Sequence, residues 1–170
     1  MTSNENLKET VDIFYNDIIN IIKNRMERDQ KIIRDNINNE KKVNDEIAEK
    51  ENEINRIKNN PNNHINNNLN FNLTPDAFVF VDRLKKQIEY KNEELQSLYE
   101  YNKKKGEYLK NKNEEYLDIV RKFMDEKIGI IKRISEREHL NVVSLAKVQD
   151  DEYKKLKELN DGIFNKYLPS

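Results

Sequence analysis

The sequence predicts an all-α protein built as an elongated coiled coil: two long helices separated by a flexible Asn-rich linker, with a shorter C-terminal helix after a kink. Three observations lead there. Apolar residues recur every seven positions along two long segments, which is the period of a supercoiled helical seam. Asp, Glu, Lys and Arg make up 37% of the chain against 35% hydrophobic residues, too few for a thick core. Only three Gly and three Pro interrupt 170 residues, so the chain has few places to turn back. A composition this polar also suits disorder, and the heptad period decides for helix.

Residues 1–6 precede the periodic pattern and are expected to be disordered. Residues 7–58 form the first helix. Its seam combines Ile19, Met26, Ile33, Glu40, Ile47 and Ile54 with Tyr15, Ile22, Asp29, Asn36, Val43, Lys50 and Ile57. Polar residues on a seam lower stability, and they either fix register and partner choice or are simply tolerated. Leu7, Val11, Phe14, Ile18 and Ile21 add a second apolar row at the start. Two rows make a face too wide for one partner helix, and a three- or four-helix bundle buries it better.

Residues 59–74 read as a linker. Asn competes for its own backbone and Pro61 removes a donor, so this tract breaks the helix. Thr74, Pro75 and Asp76 then signal a helix start through capping, a preset φ and a favourable charge. The second helix, 75–134, carries Val81, Ile88, Leu95, Asn102, Leu109, Tyr116, Phe123 and Ile130 every seven residues, with Leu84, Lys91, Leu98, Lys105, Lys112 and Ile119 between them. Ser135 and Glu138 match a capping box, and the heptad phase slips there, so residues 135–168 are a kink and a last helix. Val142, Leu145, Leu156, Leu159 and Ile163 mark its face, and Gly162 followed by Pro169 ends it.

Composition excludes several functions. Net charge is −1 with both signs interspersed, whereas a nucleic-acid binder carries a basic excess. The longest apolar run, Ala77 to Val81, is far too short to span a bilayer. With no Cys there is no disulfide, thiol nucleophile or thiolate metal site, and no leader opens the chain; the expected compartment is the cytoplasm. His64 and His139 stand apart. The acidic pairs Glu114-Glu115 and Asp150-Asp151 are flanked by Lys on polar faces, without the pocket that catalytic carboxylates need. Lys103, Lys104, Lys105, Lys110 and Lys112 are interleaved with Glu and read as solvated surface. No catalytic, cofactor-binding or metal-binding set emerges, so the chain is read as a non-enzyme without cofactors. The strand-like Phe78-Val79-Phe80-Val81 lacks a pairing strand.

Leu7 to Val11 with Tyr15, the segment Asp29 to Glu40, and Ile88 with Glu93 to Leu95 and Leu98 to Glu100 resemble segments of the pallidin family, small coiled-coil subunits of the biogenesis of lysosome-related organelles complex. These segments cover under half of the chain, and residues after about Leu117 lie outside them. The resemblance implies a scaffold subunit of a hetero-oligomeric coiled-coil complex in endosomal cargo sorting and vesicle trafficking. Its partners would be other coiled-coil proteins, and contact with endosomal membranes would run through them. The alternative is a homodimeric rod or a subunit of a kinetochore or cytoskeletal complex. In either case the expected partner-binding seam is Ile19, Ile22, Met26, Ile33, Ile47, Ile54, Val81, Leu84, Ile88, Leu95, Leu98, Leu109, Tyr116 and Phe123.

Overall fold

The computed structural model describes residues 3–65, 73–137 and 143–168, and these are all-α. Helix α1 spans Ser3–Asn59, α2 spans Pro75–Arg137, α3 spans Val143–Tyr167, and a single 3₁₀ turn covers Pro61–Asn63. The chain divides into two compact units, one made of Met1–Arg34 with Lys104–Ser170 and the other of Asp35–Lys103.

The second unit is an antiparallel helical hairpin. Ile54 of α1 packs with Val81 and Leu84 of α2, while Val43 and Ile47 pack with Leu95 further along. Rising numbers on α1 therefore meet falling numbers on α2. Each fully buried Leu, Ile or Val contributes about 1.5–3 kcal/mol of transfer free energy. At the turn, α1's open carbonyls find local partners. Asn63 Nδ2 donates to Ile57 O at 3.0 Å, and His64 Nε2 lies 2.8 Å from Lys58 O. Thr74 N donates to Asn63 O at 2.7 Å, and an isolated bridge joins His64 to Leu73. The entry to α2 follows the capping signal, with Pro75 first and Ala77 N donating to Thr74 Oγ1 at 3.4 Å.

The first unit holds three helices. Ile19 of α1 packs against Val120 and Met124 of α2, with Ile22, Phe123 and α3's Tyr153 and Leu156 around them. Ile33, Leu109 and Phe164 form a second layer, which Leu168 flanks. In this unit α2 runs antiparallel to both α1 and α3, because α3 climbs from 153 to 164 as α1 climbs from 19 to 33.

Several expectations change. Residues 3–6 are the first turn of α1 rather than disordered; Ser3 and Asn4 suit a helix start, and Thr10 Oγ1 donates back to Asn6 O at 2.9 Å. The Asn-rich stretch, expected as a flexible linker, forms the hydrogen-bonded turn just described at both of its edges, while 66–72 lie outside the described residues. Ser135 caps nothing: it is buried within α2, and its Oγ has no partner. Helix α2 runs three residues past the expected 134, to Arg137, and α3 begins at Val143; the rest of the expected kink lies outside the described residues. Glu138, His139 and Val142 lie outside the described residues, as does Pro169. Gly162 does not end α3, which continues to Tyr167.

These glycines give a direct check on helix continuity. A Cβ at Gly129 or Gly162 would meet nothing within 4 Å, whereas one at Gly106 would sit 2.5 Å from Leu168 Cδ2. Gly129→Ala and Gly162→Ala should each stabilise the protein by about 0.5–1 kcal/mol, read as a higher midpoint in thermal unfolding followed by circular dichroism. Gly106→Ala should gain less, because Leu168 must move aside.

Candidate functional site

The fourteen expected seam residues are spent largely inside the chain. Ile19, Met26, Ile33, Ile47, Ile54, Val81, Leu84, Leu95 and Leu109 are buried, and Ile22, Ile88, Leu98, Tyr116 and Phe123 are half-buried. The structure pairs α1's members with α2's members rather than presenting them outward. On α1 the stripe stays in the expected phase. On α2 it shifts after Leu109: Asn113, Leu117, Val120, Met124, Lys127, Ile131 and Ile134 are buried. The steps of four from 109 to 113 and 113 to 117 move the buried face by about one residue, as a stutter does.

The polar residues on these stripes meet one another. In the hairpin, the buried Asn102 donates from Nδ2 to Asn36 O at 3.2 Å and to Glu40 Oε1 at 2.8 Å. Lys91 bridges Glu46 at 2.8 Å and Glu94 at 3.3 Å, and the Glu46 hydrogen bond raises the Lys91 pKa while lowering that of Glu46. In the three-helix unit, one amide from each helix forms a buried layer: Gln30 Nε2 and Asn113 Nδ2 both donate to Asn160 Oδ1, at 3.2 and 3.1 Å. Gln30 and Asn160 were missed because each stands one or more positions off the apolar heptads. Their signal is a buried amide that finds its complement only in the folded unit.

A cleft of about 340 Å³ also opens in the three-helix unit, lined by Asp12, Asn16, Met124, Lys127, Leu145 and Gln149 among others. Lys127 is buried, pairs with Asp12 and donates to Asn16 Oδ1 at 3.0 Å. Those two acceptors claim two of the ammonium's three protons, so this lysine ties α2 to α1. Gln149 is buried beside it, with Oε1 unpartnered. Among the described residues no group of three or more His, Cys, Asp or Glu is placed to hold a metal ion. Of the acidic pairs, Glu114, Glu115 and Asp151 are exposed. Asp150 meets Lys154 at 3.0 Å and Arg121 at 2.9 Å, and hydrogen bonds from these cations, Lys154 first, hold its pKa low. Lys105 and Lys112 stand 5.6 and 6.0 Å from the Tyr108 ring centroid.

What remains open on α1 is the second apolar row. Leu7, Phe14 and Ile21 are 48%, 58% and 68% exposed, while Ile19 on the neighbouring stripe is 3% exposed. Val11 and Ile18 lie half-buried between them. The row joins the interior through aromatic contacts, with Phe14 edge-on to Tyr15 at 5.3 Å and Tyr15 at 6.2 Å from Phe123 of α2. The unit thus has three helices and one apolar face on α1 that none of them covers. No family model, curated protein or solved structure matches this chain.

Two predictions follow the polar groups. Asn160→Leu should cost about 1–3 kcal/mol, since it strands the Gln30 and Asn113 amides in the interior. The triple change of Gln30, Asn113 and Asn160 to Leu should recover most of that loss, because it removes all three demands together; denaturant titration reads both. Asp29 supplies the second. Burial raises its pKa against the lowering pull of Arg25, Lys105 and Lys112. A carboxyl whose folded pKa is raised destabilises the fold once ionised, so stability from this site is lost as pH rises through the raised value and regained below the ordinary aspartate pKa. Asp29→Asn should therefore be more stable than the parent at neutral pH, with the advantage vanishing on acidification.

Proposed function

We propose that this chain is a non-enzymatic scaffold subunit whose α1 face docks a helix of a partner coiled-coil protein, completing a hetero-oligomeric helical assembly. The observation that carries the reading is the exposed heptad row Leu7, Phe14 and Ile21 beside a stripe that the chain buries against itself. A soluble helix rarely leaves large apolar side chains exposed at regular spacing unless something covers them. An amphipathic partner helix reads such a row through anchors at i, i+3, i+4 and i+7. The half-buried Val11 and Ile18 supply the alternate positions, giving the 4-3-4-3 spacing of a coiled-coil seam. In this reading the coiled-coil character has two layers: pairing within the chain, and one further seam for a partner.

Three segments similar to the pallidin family support an endosomal sorting complex as the setting, with cytoplasmic partners. The exposure of Leu7, Phe14 and Ile21, against the burial of Ile19, Met26 and Ile33, supports the outer row as the partner face.

The test is affinity purification of the full chain with mass spectrometry. The parent should recover small coiled-coil proteins in fixed stoichiometry, and Phe14→Asp with Ile21→Asp should release them, because each buried, unpaired carboxylate costs several kcal/mol at an interface. Helix content by circular dichroism should be unchanged, since both positions are exposed in the isolated chain. Retention of partners by the double variant contradicts the reading, as does recovery of a second copy of this chain alone.

A further inference from the structure

The hairpin unit carries a second unusual surface at its turn end. Ala77 and Val81 of α2 are buried, and between them Phe78, Val79 and Phe80 are 62%, 56% and 47% exposed. Successive helical residues point about 100° apart, so these three side chains leave the helix in three different directions. With Ala77 and Val81 on the remaining side, the single turn from 77 to 81 is apolar around its whole circumference, with Asp76 just before it and Asp82 just after. Ile65, in the adjoining turn, is exposed as well.

A helix apolar all round belongs in an apolar medium. A single partner helix covers one side of such a segment and leaves the others wet. A lipid interface can meet all the sides that α1 leaves open. Charge points the same way. Between Ile54 and Ile88 the sequence carries five basic residues, Arg56, Lys58, Arg83, Lys85 and Lys86, against only Asp76 and Asp82. All five basic side chains are exposed. Asp82 pairs with Lys86 at 3.2 Å, which leaves the excess on the other four cations. Aromatic and aliphatic side chains beside a basic excess are the makings of an interfacial anchor on anionic lipid, where shallow apolar insertion and headgroup attraction add.

We infer that the turn end of the hairpin is a peripheral membrane anchor: Phe78, Val79 and Phe80 insert into the headgroup–acyl boundary of an anionic bilayer, and the surrounding Arg and Lys side chains hold its headgroups. No helix among the described residues is long and apolar enough to cross a membrane, and this anchor does not require one. It is a direct lipid contact made by this chain, separate from the partner face on α1.

Vesicle binding by the full chain tests it. Phosphatidylcholine vesicles containing about a third phosphatidylserine should retain the protein in flotation, and vesicles of phosphatidylcholine alone should retain it far less. Phe78→Ser with Phe80→Ser should lower the partition coefficient about tenfold or more, with helix content unchanged. Added salt should weaken binding, since exposed charges are screened. The chain has no Trp, so Phe78→Trp gives a clean reporter whose emission should shift to the blue on anionic vesicles. Binding that ignores the Phe78 and Phe80 changes overturns the proposal. So does failure to bind either vesicle, or self-association through this end that the double Ser variant abolishes while vesicles bind nothing. The Phe14 and Ile21 substitutions should leave vesicle binding intact, which separates this outcome from that of the partner face.

Discussion

The structure depends on one constraint: the apolar stripe that runs the length of α1 is narrow, and the chain covers it with its own α2 in antiparallel pairing. A chain with 35% hydrophobic residues cannot build a thick core, so nearly all its stabilising burial must come from that pairing. Apolar stripes alone, however, leave register loose, because Ile against Leu packs almost as well one heptad away. The polar residues remove that freedom. Asn102 meets Asn36 and Glu40 in one unit, and Asn160 meets Gln30 and Asn113 in the other. A slip of seven residues would bury these amides without partners, at about 1–3 kcal/mol each. Polar residues that weaken the seams thereby select one alignment of them.

Pairing within the chain also determines what is left over. In the three-helix unit, α3 lays Tyr153, Leu156 and Phe164 against the α1–α2 contact, yet the row at Leu7, Phe14 and Ile21 stays uncovered. In the hairpin unit, the inward side of α2 is satisfied by Ile54, and the turn from 77 to 81 carries Phe78, Val79 and Phe80 on its other sides. Each unit thus closes its own interior and keeps a surplus of apolar surface. The two surpluses differ in form, a stripe in one case and a girdle in the other, and the form fixes the kind of partner each suits.

Much of this was legible in the sequence. The helices and the capped start at Thr74 follow from period and local chemistry, and α1's stripe of Ile19, Met26, Ile33, Ile47 and Ile54 falls where the heptads put it. The stripe on α2 was legible only to Leu109. Beyond it two apolar rows run side by side, Tyr116, Ile119, Phe123 and Ile130 against Leu117, Val120, Met124 and Ile131, and strict heptads favour the first. Contact with two helices at once favours a wider face centred on the second. Lys127 hid that face further, because an unpaired lysine is rarely buried and its partner Asp12 is distant in sequence. The amides Gln30, Asn113, Gln149 and Asn160 carried no local signal at all. For the candidate surfaces, the row on α1 was visible as surplus width, but its exposure was not: that required knowing which stripe α2 and α3 would cover.

The pairing register is the central claim, and a chain without cysteine allows it to be measured cleanly. Glu46 and Lys91 face each other across the hairpin at 2.8 Å. With cysteines at these two positions, a short bis-maleimide at high dilution should join them within one chain, giving a fast-migrating monomer. A control pair at Glu46 and Tyr101, offset along α2, should react far less. Cross-links that join two chains instead, or equal reaction of the offset pair, would contradict an antiparallel hairpin held in one register by its own residues.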